Sequence, residues 1–100
     1  MHQSSHGICD LVLKSLPLTV KNALVAIVEE YDRAKKKHPE WPDDLIHRTA
    51  VVAEESGELT RAALLYKYEN GEYFEMFREA KHTGATALRF MIELPVINEE

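Results

Sequence analysis

The residues best suited to chemistry in this sequence are four glutamates and one histidine, which fall into two short groups. Glu54, Glu55 and Glu58 form the first group, and Glu79 and His82 form the second. At about 100° per residue, the three glutamates of the first group occupy a sector of about 100° if their segment is helical. Carboxylate oxygens are the ligands that hard cations such as Mg²⁺ prefer. We therefore treat both groups as candidates for one metal site.

The surroundings of the first group are apolar, which is typical of a helix buried in a bundle. Burial of charged carboxylates in such surroundings lowers the stability of the fold unless they are protonated, paired with arginine or bound to a cation. The alternative is that Glu54 and Glu55 are exposed and pair with Arg48, Arg61 or Arg78, since adjacent glutamates are common on helix surfaces.

Three helices are predicted to carry these residues, at about residues 18–37, 44–70 and 73–94. Pro39 follows the basic end of the first helix, and Asp43 is the predicted N-cap of the second. Asn70-Gly71 supplies the stop of the second helix, and Pro95 ends the third. The first helix is indicated by apolar residues at three- and four-residue spacing, namely Val20, Ala23, Leu24, Ile27, Val28 and Tyr31.

The third predicted helix has one polar stripe, on which Glu79 and His82 are three residues apart and face the same way. If the second and third helices pack antiparallel, Glu79 comes opposite the first glutamate group. Carboxylates on facing helices are a known way for bundles to hold a metal. The stripe consists of Glu75, Arg78, Glu79, His82, Thr86, Arg89 and Glu93, and the opposite side carries Phe77, Leu88, Met91 and Ile92.

Length and composition indicate a single globular domain of the all-α class. The chain has 100 residues, of which 45% are hydrophobic and 29% are charged, and no segment alternates at period two. We place the domain at residues 18–100, after a flexible or short-helical segment at 1–17. A domain of this size buries a modest fraction of its surface, so oligomerisation is expected. The lone Cys9 allows no intrachain disulfide, which fits a reducing, cytoplasmic setting.

Charge argues against some partners. The net charge is −5, and residues 51–100 hold ten acidic side chains against five Lys or Arg. An acidic half does not favour binding to a nucleic-acid backbone, but it attracts cations. Apolar runs are too short to span a bilayer, and no secretory signal pattern is visible, so no membrane partner is expected.

The spacing Glu55-x-x-Glu58, then 20 residues, then Glu79-x-x-His82 resembles the motif of the MazG-like all-α nucleotide pyrophosphohydrolases. The family pattern is E-x-x-E, a variable gap, then E-x-x-D. The segment from Val52 to Leu59 is similar to the family's E-E-x-G-E-L string. The resemblance covers about residues 44–94, and the helix before them is compatible with it.

This resemblance implies an enzyme that uses Mg²⁺, or Mn²⁺, to hydrolyse a nucleoside triphosphate to the monophosphate and pyrophosphate. It also implies homodimers, or dimers of dimers, whose helices complete four-helix bundles. Glu55, Glu58 and Glu79 would be metal ligands, with Glu54 as a further ligand or supporting group. Glu55 or Glu58 would accept the proton of the attacking water.

His82 departs from the family pattern, because it replaces the final aspartate. Neutral imidazole suits Mn²⁺, Co²⁺ or Zn²⁺ better than Mg²⁺. The site therefore manages with fewer carboxylates, prefers another metal or has lost hydrolysis. The alternative function is a catalytically degenerate relative that binds nucleotide or metal, or acts as an assembly module. A plain helical interaction protein is a third reading, which buried glutamates would not favour.

A few further residues are weaker candidates for substrate binding. Trp41 could stack on a nucleobase, although a single tryptophan in a bend more often anchors its loop. Arg78, Lys81 and Arg89 could contact phosphates, or the two arginines could pair with nearby glutamates. His47 lies on the side of Glu54, where a surface histidine is the simpler interpretation.

Overall fold

The computed structural model describes residues 11–95, and its regular structure is helical. The long helices are α1 (Leu18–Lys37), α2 (Leu45–Tyr68) and α3 (Tyr73–Ile92), and residues 11–15 are helical as well. No strand occurs within residues 11–95, so the all-α prediction is confirmed there. Over the same residues, no helix combines the length and apolarity that crossing a membrane requires. Most of the predicted N-terminal segment, residues 1–10, and residues 96–100 lie outside the described part.

The helix boundaries follow local chemistry closely. Asp44, and not the predicted Asp43, is the N-cap of α2, because its carboxylate accepts a hydrogen bond of 2.8 Å from the backbone N–H of His47. At the other end, Asn70 has a φ of 59° and the Gly71 N–H donates to the Leu65 carbonyl at 2.9 Å. A Cβ on Gly71 would lie 2.8 Å from Leu65, so glycine is required here. Helices α2 and α3 each end two residues before the predicted position.

Helix α3 lies in the middle of the fold, with α1 and α2 packed against it and hardly touching each other. The buried residues of the described chain are few and unusual. Only two are apolar, Ala62 and Ala85, whereas Glu30, Glu79 and Arg89 are charged. A single chain is therefore an open layer of helices, and its best-covered region is polar.

This arrangement changes the expected environment of α2. The sequence predicts a helix covered nearly all round, but only the strip of α2 that contains Ala62 and Glu55 is shielded. Glu54 and Glu58 are exposed, as are Ile46 and Leu64. The reason is that a helix with one neighbour has one covered face, whatever its composition.

The connection between α1 and α2 is held by Arg89 of α3. Its guanidinium donates to the carbonyl of His38 at 2.9 Å and to that of Pro39 at 3.1 Å. It also lies over the ring of Trp41, 4.7 Å from the ring centroid, and donates to Glu93 at 3.2 Å. Arg89 therefore has protein partners for its donors, and Trp41 is an anchor of the loop.

We expect Arg89→Met to lower the free energy of unfolding by about 2–3 kcal/mol, because the buried guanidinium loses its hydrogen bonds to the His38 and Pro39 carbonyls and the cation–π contact is lost. The emission of Trp41, the only tryptophan, should shift to longer wavelength as its ring gains solvent. Chemical denaturation followed by fluorescence measures both effects. The exposed Arg61→Met variant is the control, and equal behaviour of the two variants would contradict the anchoring role.

Candidate metal centre

Three side chains with metal-ligating atoms meet between α2 and α3. One ligand atom each from Glu55, Glu79 and His82 lies within 4.8 Å of the others. Glu55 comes from the covered strip of α2, while Glu79 and His82 are on adjacent turns of α3. The structure thus brings together one member of the first sequence group and both members of the second.

Two carboxylate oxygens in this group, Glu55 Oε1 and Glu79 Oε1, are shielded from solvent and have no hydrogen-bond partner among residues 11–95. His82 Nδ1 lies 3.4 Å from Glu79 Oε1, which is an ion-pair distance without hydrogen-bond geometry. The other Glu79 oxygen, Oε2, lies 3.3 Å from Arg78 Nη2. Oxygens shielded in this way are expensive when left unpaired, and a bound cation would satisfy both of them.

The electrostatic surroundings of Glu55 disfavour its charged form. Burial raises the pKa of Glu55, and the neighbouring carboxylates of Glu58, Glu79 and Glu54 raise it further, although His82 acts in the opposite direction. A carboxyl group with a raised pKa that faces another carboxylate is a common feature of functional sites. Metal binding would reverse the effect, because a cation stabilises the charged form.

Glu30 of α1 is a member of this region that the sequence reasoning missed. Its Oε2 lies 3.5 Å from His82 Nε2, so the imidazole stands between Glu30 and Glu79. Arg33 binds both oxygens of Glu30, with hydrogen bonds of 3.0 and 2.6 Å. The Arg33 hydrogen bonds hold the pKa of Glu30 below its ordinary value, although burial opposes them. Glu30 is therefore a charged residue beside the candidate ligands.

A sequence signal for Glu30 did exist. The apolar positions of α1 recur at three- and four-residue spacing, and Glu30 follows Ile27 by three residues, which places it on the buried face of the helix. A carboxylate at a core position of an amphipathic helix needs a charged partner, and two partners are present in Arg33 and His82.

Thr83 connects the two helices that carry the candidate ligands. Its hydroxyl lies 2.8 Å from the Glu79 carbonyl on α3 and 3.1 Å from the Glu55 carbonyl on α2. One hydroxyl proton is thus shared between the backbone carbonyls of two candidate ligands. This contact fixes the position of Glu55 along α2 relative to that of Glu79 along α3.

Thr83→Val should lower the free energy of unfolding by about 1 kcal/mol, because the shared hydrogen bond is lost at nearly constant volume. It should also weaken Mn²⁺ binding several-fold, since the two helices are no longer held in register. Thr83→Ser keeps the hydroxyl and is the matched control. Thermal denaturation with and without Mn²⁺ measures both effects, and a Val variant with the native metal-induced shift would refute the positioning role.

Glu54 and Glu58 do not join the group of three. Both are exposed on α2, and Glu58 lines a second cleft together with Arg61, Arg78 and Glu79. Glu58 is close enough to raise the pKa of Glu55 more than any other charged residue does. Glu58 therefore lies near the candidate metal centre, but it is not one of the three residues that could bind one ion together.

The basic residues proposed for substrate binding point to different places. Arg78 lies in the second cleft and pairs with Glu75 at 2.9 Å as well as with Glu79. Lys81 lies over the ring of Phe77, 6.0 Å from its centroid, in a shallow groove between α1 and α3. Neither residue lines the cleft that contains Trp41.

That first cleft, of about 360 Å³, runs beside the candidate centre. Glu55, His82 and Glu30 form part of its wall, and Trp41 and Arg33 form another part. The Nε1 donor of Trp41 is shielded and has no hydrogen-bond partner among the residues that the structure describes. His47 is exposed on α2 and is absent from the cleft lining, in line with a surface histidine. The cleft therefore joins carboxylates, a guanidinium and an indole in a space suited to a small polar ligand.

The donor set fits a divalent cation. Two carboxylates and one imidazole are within reach of one ion, and two of the carboxylate oxygens have no hydrogen-bond partner in the described part of the chain. Carboxylates suit Mg²⁺ and Mn²⁺, whereas the imidazole moves the preference towards Mn²⁺ or Zn²⁺. The group can thus hold a metal ion.

Comparisons with protein-family models, with curated proteins and with solved structures give no match to this chain. The MazG-like identification therefore stays a prediction that rests on its own residues.

Proposed function

We propose that this chain is a metal-dependent nucleotide pyrophosphohydrolase of the MazG-like class, which hydrolyses a nucleoside triphosphate to the monophosphate and pyrophosphate. One observation carries the proposal: ligand atoms of Glu55, Glu79 and His82, from both halves of the sequence motif, lie within 4.8 Å of one another, and Glu55 and His82 line the first cleft. Glu55 belongs to the E-x-x-E segment and Glu79 and His82 belong to the E-x-x-H segment, so this group joins the two parts of the motif.

The proposed metal is Mn²⁺ or Mg²⁺, held by Glu55, Glu79 and His82. When bound, such an ion offsets phosphate charge and lowers the pKa of a coordinated water. The distances support Glu55 as the residue that holds the metal and accepts the proton of the attacking water. The water oxygen would bond to the α-phosphorus, the bond from that phosphorus to the oxygen bridging the α and β phosphates would break, and pyrophosphate would leave while Glu55 takes up the proton of the water.

The substrate is proposed to lie in the first cleft, with its phosphates towards Glu55 and His82. Arg33 and the indole N–H of Trp41 are two of the donor groups in the wall of this cleft. Arg33 is bound to Glu30, so its charge is partly offset there. Trp41 Nε1 lacks a partner, and a ligand acceptor would satisfy it.

The test is ³¹P NMR of the products formed from a panel of ribo- and deoxyribonucleoside triphosphates with Mg²⁺ or Mn²⁺. We expect monophosphate and pyrophosphate from the native chain, and none from Glu55→Gln or Glu79→Gln. Glu54→Gln is the matched control, because Glu54 is exposed and outside the group of three, and it should keep its turnover.

Absence of turnover with either metal in a folded protein would count against hydrolysis. Retained metal binding in the same sample, measured by calorimetry, would then favour the degenerate relative that binds metal or nucleotide. Loss of turnover in Glu54→Gln, with Glu55→Gln still active, would place the chemistry on the exposed side of α2.

A further inference from the structure

His82 has two ring nitrogens, and they face carboxylates on two different helices. Nδ1 lies 3.4 Å from Oε1 of Glu79, on the side of the candidate metal group. Nε2 lies 3.5 Å from Oε2 of Glu30, a residue of α1 that is only 7% exposed. Glu30 is not part of the group of three, so a shared ion does not explain its contact with the far side of the ring.

Close packing of α1 on α3 brings Glu30 to this position. A Cβ on Gly84 of α3 would lie 2.9 Å from Cδ1 of Ile27, so Ile27 packs against α3 where that helix has no side chain. Glu30 follows Ile27 by three residues on α1, and His82 precedes Gly84 by two residues on α3. The helix contact therefore holds the Glu30 carboxylate at the level of the His82 ring.

Arg33 fixes the carboxylate of Glu30 and leaves it poorly suited to bind an ion. Arg33 Nε donates to Oε1 of Glu30 at 3.0 Å, and Arg33 Nη2 donates to Oε2 at 2.6 Å. A carboxylate held at two points by a guanidinium has a defined plane and direction. Each carboxylate oxygen can accept a second hydrogen bond, so Oε2 can still receive the Nε2–H of His82. Glu30 is therefore better suited to accept from the imidazole than to serve as a fourth ligand.

A histidine that binds a metal through one nitrogen usually donates the N–H of the other nitrogen to a carboxylate or a carbonyl. That contact fixes which nitrogen carries the proton, orients the ring and raises the basicity of the metal-binding nitrogen. The Nε2 contact of 3.5 Å is longer than an ordinary hydrogen bond, and such contacts commonly shorten once a site is filled. The aspartate of the MazG-like pattern has no ring to orient, so the resemblance assigns this role to no residue.

We propose that Glu30 is a positioning residue of the metal centre, which accepts the Nε2–H of His82 and so directs the Nδ1 lone pair towards the ion that Glu55 and Glu79 bind. This inference rests on the metal of the proposed function and does not depend on the hydrolysis. Metal affinity then depends on a carboxylate of α1 that does not touch the ion.

The first test is the protonation of the His82 ring, followed by long-range ¹H–¹⁵N NMR of the chain labelled at its five histidines. Spectra are recorded without metal and with diamagnetic Zn²⁺ at about pH 8, where an ordinary imidazole is neutral. A His82→Asn spectrum identifies the His82 signals. We expect the proton on Nε2 in both native samples, and Zn²⁺ on Nδ1. Without metal, Glu30→Met should give a mixture of the two protonated forms, whereas the exposed control Glu29→Met should keep the native form.

The second test is Mn²⁺ affinity by calorimetry, in the native chain and in a His82→Asp background. Glu30→Met should lower the affinity of the native chain about tenfold, because the imidazole loses its acceptor, and Glu29→Met should leave it unchanged. An aspartate at position 82 has no ring to orient, so Glu30→Met should cause no loss in that background. The difference between the two backgrounds measures how far Glu30 acts through His82.

A proton on Nδ1 in the native metal-free chain, or Zn²⁺ bound through Nε2, would overturn the proposal. An equal loss of Mn²⁺ affinity in both backgrounds would also overturn it, because Glu30 would then act on the ion by itself. If the double variant does not fold, as judged by circular dichroism, the NMR result decides. A native chain that binds no metal would contradict the proposed function, and the protonation of the metal-free ring would still decide whether Glu30 orients His82.

Discussion

The Glu55→Gln variant should lose metal binding and yet be more stable than the native chain in the absence of metal. Affinity for Mn²⁺ should fall by about 100-fold, because a charged ligand is replaced by a neutral one at a site with three ligands. Without metal, the unfolding temperature should rise by about 4 °C, which corresponds to about 1 kcal/mol for a domain of this size. The gain arises because the amide removes a shielded charge beside Glu58 and Glu79.

The stability difference should depend on pH in a defined direction. Well below the ordinary carboxyl pKa, Glu55 is protonated in the folded and the unfolded chain, so the variant has no advantage. As the pH rises from the ordinary pKa to the raised pKa of the folded state, the unfolded chain releases its proton first and the native chain loses stability. The advantage of Gln is complete above the raised pKa.

Thermal denaturation between pH 4 and pH 8 with a chelator, followed by calorimetry with Mn²⁺, measures both effects. Glu54→Gln is again the matched control and should change neither quantity appreciably. If the Gln variant were less stable than the native chain at every pH, the charged Glu55 carboxylate would have to stabilise the fold, which would contradict this prediction. Undiminished Mn²⁺ affinity would remove Glu55 from the ligand set.

His82→Asp should strengthen Mg²⁺ binding by about tenfold, because it exchanges an imidazole for the oxygen ligand that Mg²⁺ prefers. The same change should lower the stability of the metal-free chain by about 2 kcal/mol. His82 stands between Glu30 and Glu79, and an aspartate there adds a negative charge to a cluster that already contains Glu55. Metal affinity and metal-free stability should therefore move in opposite directions.

Calorimetry with Mg²⁺ and denaturation in the presence of a chelator separate the two effects. His47→Asp is the control, because His47 is exposed on α2 and has no contact with the group. Unchanged or weaker Mg²⁺ binding by His82→Asp would exclude His82 as a direct ligand. Its role would then be to link α1 to α3 through Glu30 and Glu79.

Much of the fold follows from local rules. The apolar spacing in α1, the proline after it, and Asn70-Gly71 at the end of α2 predict the three helices to within two residues. These features act within a turn or two of chain, so no tertiary information is needed. The N-cap is Asp44, one residue after the predicted Asp43. Either aspartate satisfies the capping preference, and only the start of the helix at Leu45 decides between them.

The candidate site was predictable only in part. Sequence spacing identified Glu55, Glu79 and His82, since a shared helix face depends on periodicity alone. It could not separate Glu55 from Glu54 and Glu58, because the width of the covered strip depends on how many helices pack against α2. Nor did it find Glu30, which reaches the site only because α1 packs against α3 on the side of His82.

The sequence by itself therefore determined the helices, the acidic character of the chain and the pairing of an E-x-x-E with an E-x-x-H segment. The tertiary structure decided which carboxylates are shielded, that His82 stands between two of them, and which face of α2 the other described helices cover. The physical reason is that periodicity specifies which side chains share a helix face. Burial and charge interactions depend on which face the other helices cover.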